Sequence, residues 1–505
     1  MLEQRGLTRE RAQALARDSA RLAARVSELE GELPFPQPPT LADVRAALPD
    51  ADLNTLQLPW PGGGEFGLAF LETLTNTQHL WSEVVKPIVS SNPGMTQFPQ
   101  AQPVRTPHDL QHRLLTGWAV LLPPGGRPLA FDVQGLQQRS VNEPSTEQQV
   151  IGPKEAFVER FDTNIGLIRN RLRDPALRIE YFTVGRRSRT RVALVYVADL
   201  TRPEMVDRAR AGLKGIAVDF IRTAMDVAEL TFQHGWTIFP LVEQTERPDR
   251  ATSGLVNGRL VLVVEGSPFA LLVPVTFFEF QHDGETALPG PGVTLLIRIL
   301  RFSGLFVALA VPALYVAVLA ADPLILPVPL TITLASSRLA IPYPVATETL
   351  LMLFVADILA EATAQSGTAI GNALSIVGTL IVGQLMVQAH LASTLLMIVV
   401  AGSLMGSFLT LKFPLSYGLR IWKYLLVAMA AVGGLLGWFT GMLVLLIHMA
   451  NLESAGVPYL APLSAAKSPG AVARLLVQPG KAAMQRRHAE YRPRQLKSAR
   501  RRGRR

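Results

Sequence analysis

The chain reads as an α/β soluble N-terminal region, built of two small α/β subdomains, followed by an all-α polytopic membrane domain. Three observations carry that reading. Up to about residue 294, charged residues are spread throughout, and short apolar runs alternate with helical patterns and Gly/Pro-rich turns. From about Leu295 the character changes: between Phe302 and Leu411 the sole lysine or arginine is Arg338, against the acids Asp322, Glu348, Asp357 and Glu361. A charge in hydrocarbon is costly enough that one is rarely kept there without a partner or a use. Finally, residues 467–505 hold 13 lysines and arginines beside the acid Glu490, so the net charge of +9 sits in this tail and the rest of the chain is close to neutral.

The expected organisation is an N-terminal helical arm and Pro-rich linker over 1–49, a first α/β subdomain over 50–150 and a second over 151–294. A transmembrane domain over 295–450 and a C-terminal segment with a basic tail over 451–505 complete it. In the arm, Leu15, Leu22, Val26 and Leu29 recur at helical spacing over 7–33, and Pro34 to Pro39 end the pattern. In the first subdomain, Leu53–Leu58 alternates, Gly62–Gly64 reads as a turn and Phe66–Leu71 is a second apolar run. Residues 77–90 are helix-like, and Trp118–Leu122 with Leu129–Val133 reads as a hairpin. The glycine triplet lacks the trailing Gly-Lys-Ser/Thr of a phosphate loop. In the second subdomain, Glu155–Arg173 and Arg202–Ile216 are expected helices. Val192–Val197, Leu260–Val264 and Leu271–Val273 are expected strands.

The membrane part opens with Arg298 and Arg301 as cytoplasmic anchors, and spans are expected at about 302–321, 370–389, 393–411 and 424–448. The Pro-rich stretch 322–344 reads as re-entrant or interfacial. Counting sides leaves a conflict. Arg298/Arg301 and the tail both vote for the cytoplasm, as does the loop Lys412–Lys423, yet one span separates that loop from the tail. Four crossings, with 345–363 flat or re-entrant, satisfy the two stronger votes.

Several function classes are excluded or weakened. With no cysteine in the chain, disulfides, thiolate metal sites and cysteine nucleophiles are ruled out. No signal-peptide pattern is visible in Met1 to Pro34. The basic tail has no interleaved aromatics or nucleic-acid fold signature, so it reads as lying on anionic membrane lipid rather than on nucleic acid. No Walker loop, nucleophile elbow or paired helical histidines appear in context, so no enzyme, cofactor or metal is expected.

Candidate functional residues cluster in the membrane part. Asp357 and Glu361 share a helix face, with Glu348 on the opposite one; around a symmetric ring such acids would select cations. An interfacial helix whose acids face water is the competing reading. Gln384 and Gln388 also share a face and either line water or bond to neighbouring helices. Gly402/Gly406 and Gly433/Gly437/Gly441 let helices approach closely, within one subunit or between subunits. The dense soluble arginines Arg169, Arg171, Arg173, Arg178, Arg186, Arg187, Arg189 and Arg191 read as a solvated face, an anion pocket or partners of acids such as Glu155, Glu159 and Asp162 across subunits.

Several long motifs carry a resemblance. They are Gln138-Arg139-Ser140-Val141-Asn142-Glu143-Pro144, Gly152-Pro153-Lys154-Glu155-Ala156-Phe157, Thr163-Asn164, and Leu167-Ile168-Arg169-Asn170-Arg171-Leu172. Further along stand Thr245-Glu246-Arg247-Pro248-Asp249, Glu265-Gly266-Ser267-Pro268-Phe269-Ala270 and Gly456-Val457-Pro458-Tyr459-Leu460-Ala461-Pro462. Together they closely resemble the signature of the GerA family, the A subunits of spore germinant receptors, over roughly residues 50–463. The resemblance implies a homo-oligomeric, nutrient-gated ion channel in the inner spore membrane with its soluble region on the cytoplasmic side. It also implies a transporter-like B subunit and a lipoprotein C subunit as partners. Arg139, Glu143, Glu155, Asn164, Arg169 and Arg247 become interface candidates on that basis. Departures from the family pattern fall at 284–292, at 320–324 and at Ala360–Gln365, where two arginines of a familiar run are missing.

Overall fold

Two five-stranded sheets organise the N-terminal half and apolar helices the remainder. The structure is a computed structural model that describes residues 33–35, 37–50, 52–60, 63–90, 100–135, 144, 147, 152–232, 237–281, 291–321, 323–365, 383–409, 413–463, 491 and 493–495. The chain divides into two compact units: residues 1–231 with 244–272, and residues 232–243 with 273–505. The expected arm helix over 7–33 and most of the expected span at 370–389 lie outside the described residues.

In the first unit, one sheet comprises β1 (Leu53–Pro59), β2 (Glu65–Leu71), β3 (Gln102–Pro103), β4 (Ala119–Leu122) and β5 (Leu129–Phe131), in the order β1-β2-β4-β5-β3 and antiparallel throughout. The unbroken apolar run of β2 follows from burial on both faces. Phe66, Leu68 and Phe70 pack with Leu80, Val84 and Ile88, while Ala69 and Leu71 pack with Val44, Leu110 and Leu114. Covering helices start where polar caps stand. Thr40 and Asp43 form a reciprocal capping box for α1 (Leu41–Ala47), and Thr106 caps α2 (Pro107–Leu115) ahead of a proline at its first turn. Neither helix is expected from apolar periodicity, because each is short. Residues 77–90 are helical, with a π-helical middle over Leu80–Val85.

A second sheet comprises β6 (Leu177–Val184), β7 (Thr190–Val197), β8 (Glu243–Thr245), β9 (Leu260–Val264) and β10 (Ala270–Val273), in the order β6-β7-β9-β10-β8. Its helices are α3 (Phe161–Arg171), α4 (Pro203–Lys214), α5 (Ala224–Phe232) and α6 (Pro248–Val256). The helix expected over Glu155–Arg173 begins six residues later than its periodicity indicates. The reason is a competing polar clamp: the buried Asn164 side chain accepts from the Val158 amide at 2.8 Å and donates to the Val158 carbonyl at 2.5 Å. The Phe157 amide donates to Glu246 O at 2.7 Å, so 157–158 are held outside the helix.

The two sheets of this unit are joined by a buried ion cluster. Arg169 of α3 donates from Nε to Asp52 Oδ2 at 2.8 Å and from Nη2 to Asp50, and all three side chains are almost fully buried. Thr73, just after β2, donates its hydroxyl to Asp52 at 2.7 Å, and the Ile179 amide of β6 donates to Asp50 at 3.2 Å. Burial works against the charge on Arg169, but Asp52 and Asp50 outweigh it and hold the guanidinium above its usual range. Removing one partner of a buried pair costs more than the pair contributes. We expect Arg169→Ala to destabilise this unit by about 3–5 kcal/mol, read as a lower denaturant midpoint; an unchanged midpoint would show the cluster to be incidental.

A second strut links β6 and β7 to α4. Arg210 donates to both oxygens of Glu180 at 2.7 and 2.5 Å, and Tyr196 OH donates to the same carboxylate at 2.7 Å. Arg210 thereby holds Glu180 below the ordinary glutamate range in spite of partial burial, and burial with Glu180 pushes Tyr196 up to about 12. A depressed folded pKa stabilises above the unfolded value and loses that contribution as pH falls through the folded one. Glu180→Gln should therefore lower stability at neutral pH, and its difference from the wild type should shrink as pH falls below the ordinary glutamate range and through the lower folded value of Glu180. Denaturation midpoints measured across pH check this.

The helices of the second unit are α7 (Pro291–Ala320), α8 (Val328–Ser336), α9 (Val345–Gln365), α10 (Gly383–Gln388), α11 (Thr394–Phe408) and α12 (Phe413–Asn451); all but α8 contribute to one apolar core. Among the described residues, two helical stretches are long and apolar enough to cross a membrane, Gly292–Ala320 and Pro414–Asn451. Helices α7 and α11 run antiparallel. A Cβ on Gly304 would lie 2.5 Å from Leu409 Cδ1, and at the other end Tyr315 OH lies 3.2 Å from Ser393 Oγ. Pro312 inside α7 has no N–H to give the Ala308 carbonyl, and Ser403 of α11 donates its hydroxyl there at 2.8 Å.

Candidate functional site

The acidic helix α9 carries all its charge on carboxylates, and each meets cations or donors from other segments of the second unit. Glu348 is fully buried. It accepts from the Ser393 amide at 2.7 Å, and its other oxygen lies 3.0 Å from Arg338 Nη2. Ser393 also caps α11 by accepting from the Leu396 amide, so one residue links the acid to a helix start. The base that stands alone in the apolar stretch of the sequence is thus the partner of its most buried acid.

Two and a half turns further along, Asp357 accepts from Lys423 Nζ at 3.2 and 3.3 Å and from Tyr424 OH at 2.7 Å, all from α12. Arg420 lies 3.8 Å from Asp357 and 3.5 Å from Glu361, and Tyr417 OH donates weakly to Glu361 at 3.4 Å. The i, i+4 acids of α9 therefore face i, i+3 bases of α12. Arg420 and Lys423 read in the sequence as a topological signal, and their matching spacing was the clue to a pairing. Chemically, the arrangement neutralises the acidic face, so Asp357 and Glu361 do not present bare carboxylates. Gln384 and Gln388 are exposed on α10.

Four of the five glycine positions pack within the subunit. A Cβ on Gly406 would overlap the Gly304 carbonyl of α7, and one on Gly402 would meet Val307 at 3.7 Å. A Cβ on Gly437 would overlap the Met429 carbonyl and one on Gly441 would sit 2.5 Å from Leu426 Cδ1, while Gly433 faces open space.

In the first unit, Arg171 pairs with Glu155 at 2.5 Å, Arg191 with Asp162 at 3.5 Å and with Glu265 at 3.1 Å, and Arg186 with Asp219 at 3.1 Å. Arg169 finds Asp50 and Asp52, acids that sequence reasoning did not connect to it. Arg247 donates to Asp249 at 3.1 and 2.5 Å at the start of α6, where Thr245 also donates to Glu147 at 2.6 Å. Arg139 and Glu143 lie outside the described residues.

Of these, Glu155, Arg169, Arg171, Thr245, Arg247, Asp249 and Glu265 fall in the motifs that carried the resemblance, and a sequence model for the Bacillus/Clostridium GerA spore germination protein family matches residues 49–489. The chain belongs to the GerA family. Spore germination protein B1 of Bacillus subtilis (strain 168) is 33% identical over 363 residues, covering 72% of this chain and 75% of that protein. Spore germination protein KA of the same strain is 33% identical over 358 residues, covering 71% and 66%. Spore germination protein XA of Bacillus anthracis is 33% identical over 338 residues, covering 67% and 69%. A crystal structure of the N-terminal domain of the A subunit of the Bacillus megaterium germinant receptor GerK3 is 20% identical, with a TM-score of 0.37 over 49% of this chain and 99% of that one.

For this GerA-family chain, the Arg338–Glu348 pair gives a sharp stability test. Arg338→Gln leaves a carboxylate in a dry site, and we expect it to cost about 3–5 kcal/mol, with Arg338→Gln/Glu348→Gln recovering much of that. Thermal stability of the detergent-solubilised variants checks this; equal losses in the single and double variants would contradict it.

Proposed function

We propose that this chain acts in nutrient-triggered spore germination as the A subunit of a germinant receptor. In this reading it is a multi-pass protein of the inner spore membrane, with its soluble region on the cytoplasmic side. It forms a homo-oligomeric ion channel gated by a transporter-like B subunit and a lipoprotein C subunit. Membership of the GerA family supports the germination role. The observation that carries the mechanism is the matched charge between α9 and α12. With those pairs made, the acidic face is neutralised and held against α12, which describes a closed state. Separating them bares two carboxylates per subunit, and around a ring these would favour cations. The free energy for separation must come from a ligand that binds the two states with different affinity.

The same pairing favours a second reading, in which α9 and α12 form a non-conducting scaffold that transmits a signal to another channel. Asp357→Asn and Glu361→Gln discriminate between the two. The channel reading expects germinant-triggered ion release from spores carrying both changes to shift by about tenfold or more, with altered cation preference. Release at the wild-type rate and selectivity would leave the scaffold reading standing and remove the carboxylate path.

A further inference from the structure

The long α12 stretch is not one helix. Gly434 has φ 56° and ψ −138°, a conformation reserved for glycine, and breaks the run in two. The limbs then fold back on each other. The rings of Trp422 and His448 stack with centroids 6.2 Å apart and planes at 11°, although an unbroken helix would separate them by about 39 Å. Gly437 lies against Met429 and Gly441 against Leu426, which places the fold at 433–434. Residues 413 and 451 therefore emerge at the same end.

The depth of the turn can be read against α7. Trp438, just past the turn, donates its indole N–H to the Ala310 carbonyl at 3.0 Å, at a point where ten residues of α7, about 15 Å, still lie ahead. At the other end, Arg301 of α7 donates to Gln281 O at 2.6 Å, nine residues before Ala310. From Lys423 to the turn is likewise about 15 Å, half of a hydrocarbon core about 30 Å thick. The tip is apolar and bare, with Val432 93%, Leu436 79% and Phe439 62% exposed.

Resting on the membrane reading given above, we propose that α12 is a re-entrant hairpin. It enters the bilayer from the side of Arg298 and Arg301, turns at mid-depth with its tip in lipid acyl chains, and returns to the same side. Irregular backbone at such depth is tolerated only where protein buries it; the turn residue Gly434 is buried while the side chains around it point outward, and α7 lies alongside through Trp438. The hairpin places Arg298/Arg301, Arg420/Lys423 and the chain's exit at residue 451 on one face, so the side-count conflict of the sequence no longer arises. Helix α9 then crosses instead of lying flat. Its Glu348 meets Ser393, beside Tyr315 near the far end of α7, and its Glu361 meets Tyr417 near the base of the hairpin.

The chain has no cysteine, so single substitutions report one position at a time. Four exposed sites serve: Val293→Cys, Leu339→Cys, Val432→Cys and Asn451→Cys in the full chain in sealed vesicles, labelled with a membrane-impermeant maleimide from each side. The expected result is that Val293→Cys and Asn451→Cys label from one face and Leu339→Cys from the other. Val432→Cys should label from neither, while a permeant fluorescent maleimide placed there is quenched by lipids carrying a nitroxide at mid-acyl depth. Labelling of Val432→Cys from the Leu339 face would overturn the proposal in favour of two full crossings. Labelling of Asn451→Cys from the Leu339 face would overturn it in favour of one straight span. A disulfide-linked Val432→Cys dimer on oxidation would put a second copy, not lipid, on the tip. Release of the unmodified chain by an alkaline wash would sink the membrane reading itself, a failure distinct from the other three.

Discussion

A carboxylate removed from water needs a counter-charge or a full set of donors, and this constraint organises both units. In the first unit, Asp50 and Asp52 sit almost fully buried because Arg169, Thr73 and the Ile179 amide converge on them. In the second, Glu348 is tolerated at zero exposure because Arg338 and the Ser393 amide meet it. The same constraint at lower burial fixes α9 against α12 through Asp357, Glu361, Arg420 and Lys423. Such pairs add little net stability compared with apolar packing, but they penalise any arrangement that separates them. They set which segments must lie together.

That property is what a switch requires. Segments held by neutralised pairs in an apolar surround have one favoured register and a penalty for leaving it. A partner or ligand that offers alternative contacts to either side can shift the balance by a few kcal/mol. The hairpin extends the argument, because the limb carrying Arg420 and Lys423 also carries the turn at Gly434. Movement of its base relative to α9 and movement of its tip are coupled through one short helix.

Much of this was legible in the sequence. Strands β2, β7, β9 and β10 announce themselves as apolar runs because both of their faces are covered, and the GerA motifs identify the family. The start of α3 is not legible, because its periodicity extends upstream into residues that Asn164 holds outside the helix. Strand β6 leaves little sequence signal, because as an edge strand it keeps polar side chains such as Glu180 and Arg178, and its apolar positions are too few to stand out. The pairing of Arg169 with acids 117 and 119 positions away has no local signature at all. In the apolar half, Gly433, Gly437 and Gly441 read as a packing stripe, which describes Gly437 and Gly441. The break at Gly434 was hidden because a positive φ leaves no mark on composition.

Helix α9 is held to α12 by charge pairing within one subunit. A charge-swap cycle examines that pairing: Asp357→Lys, Lys423→Asp and the two together, compared by thermal stability of the full-length protein in mild detergent. Each single variant should be clearly less stable than the parent, and the swap should recover a large part of the loss. Additive losses in the swapped protein would contradict it, since two charges that do not meet gain nothing from exchanging places.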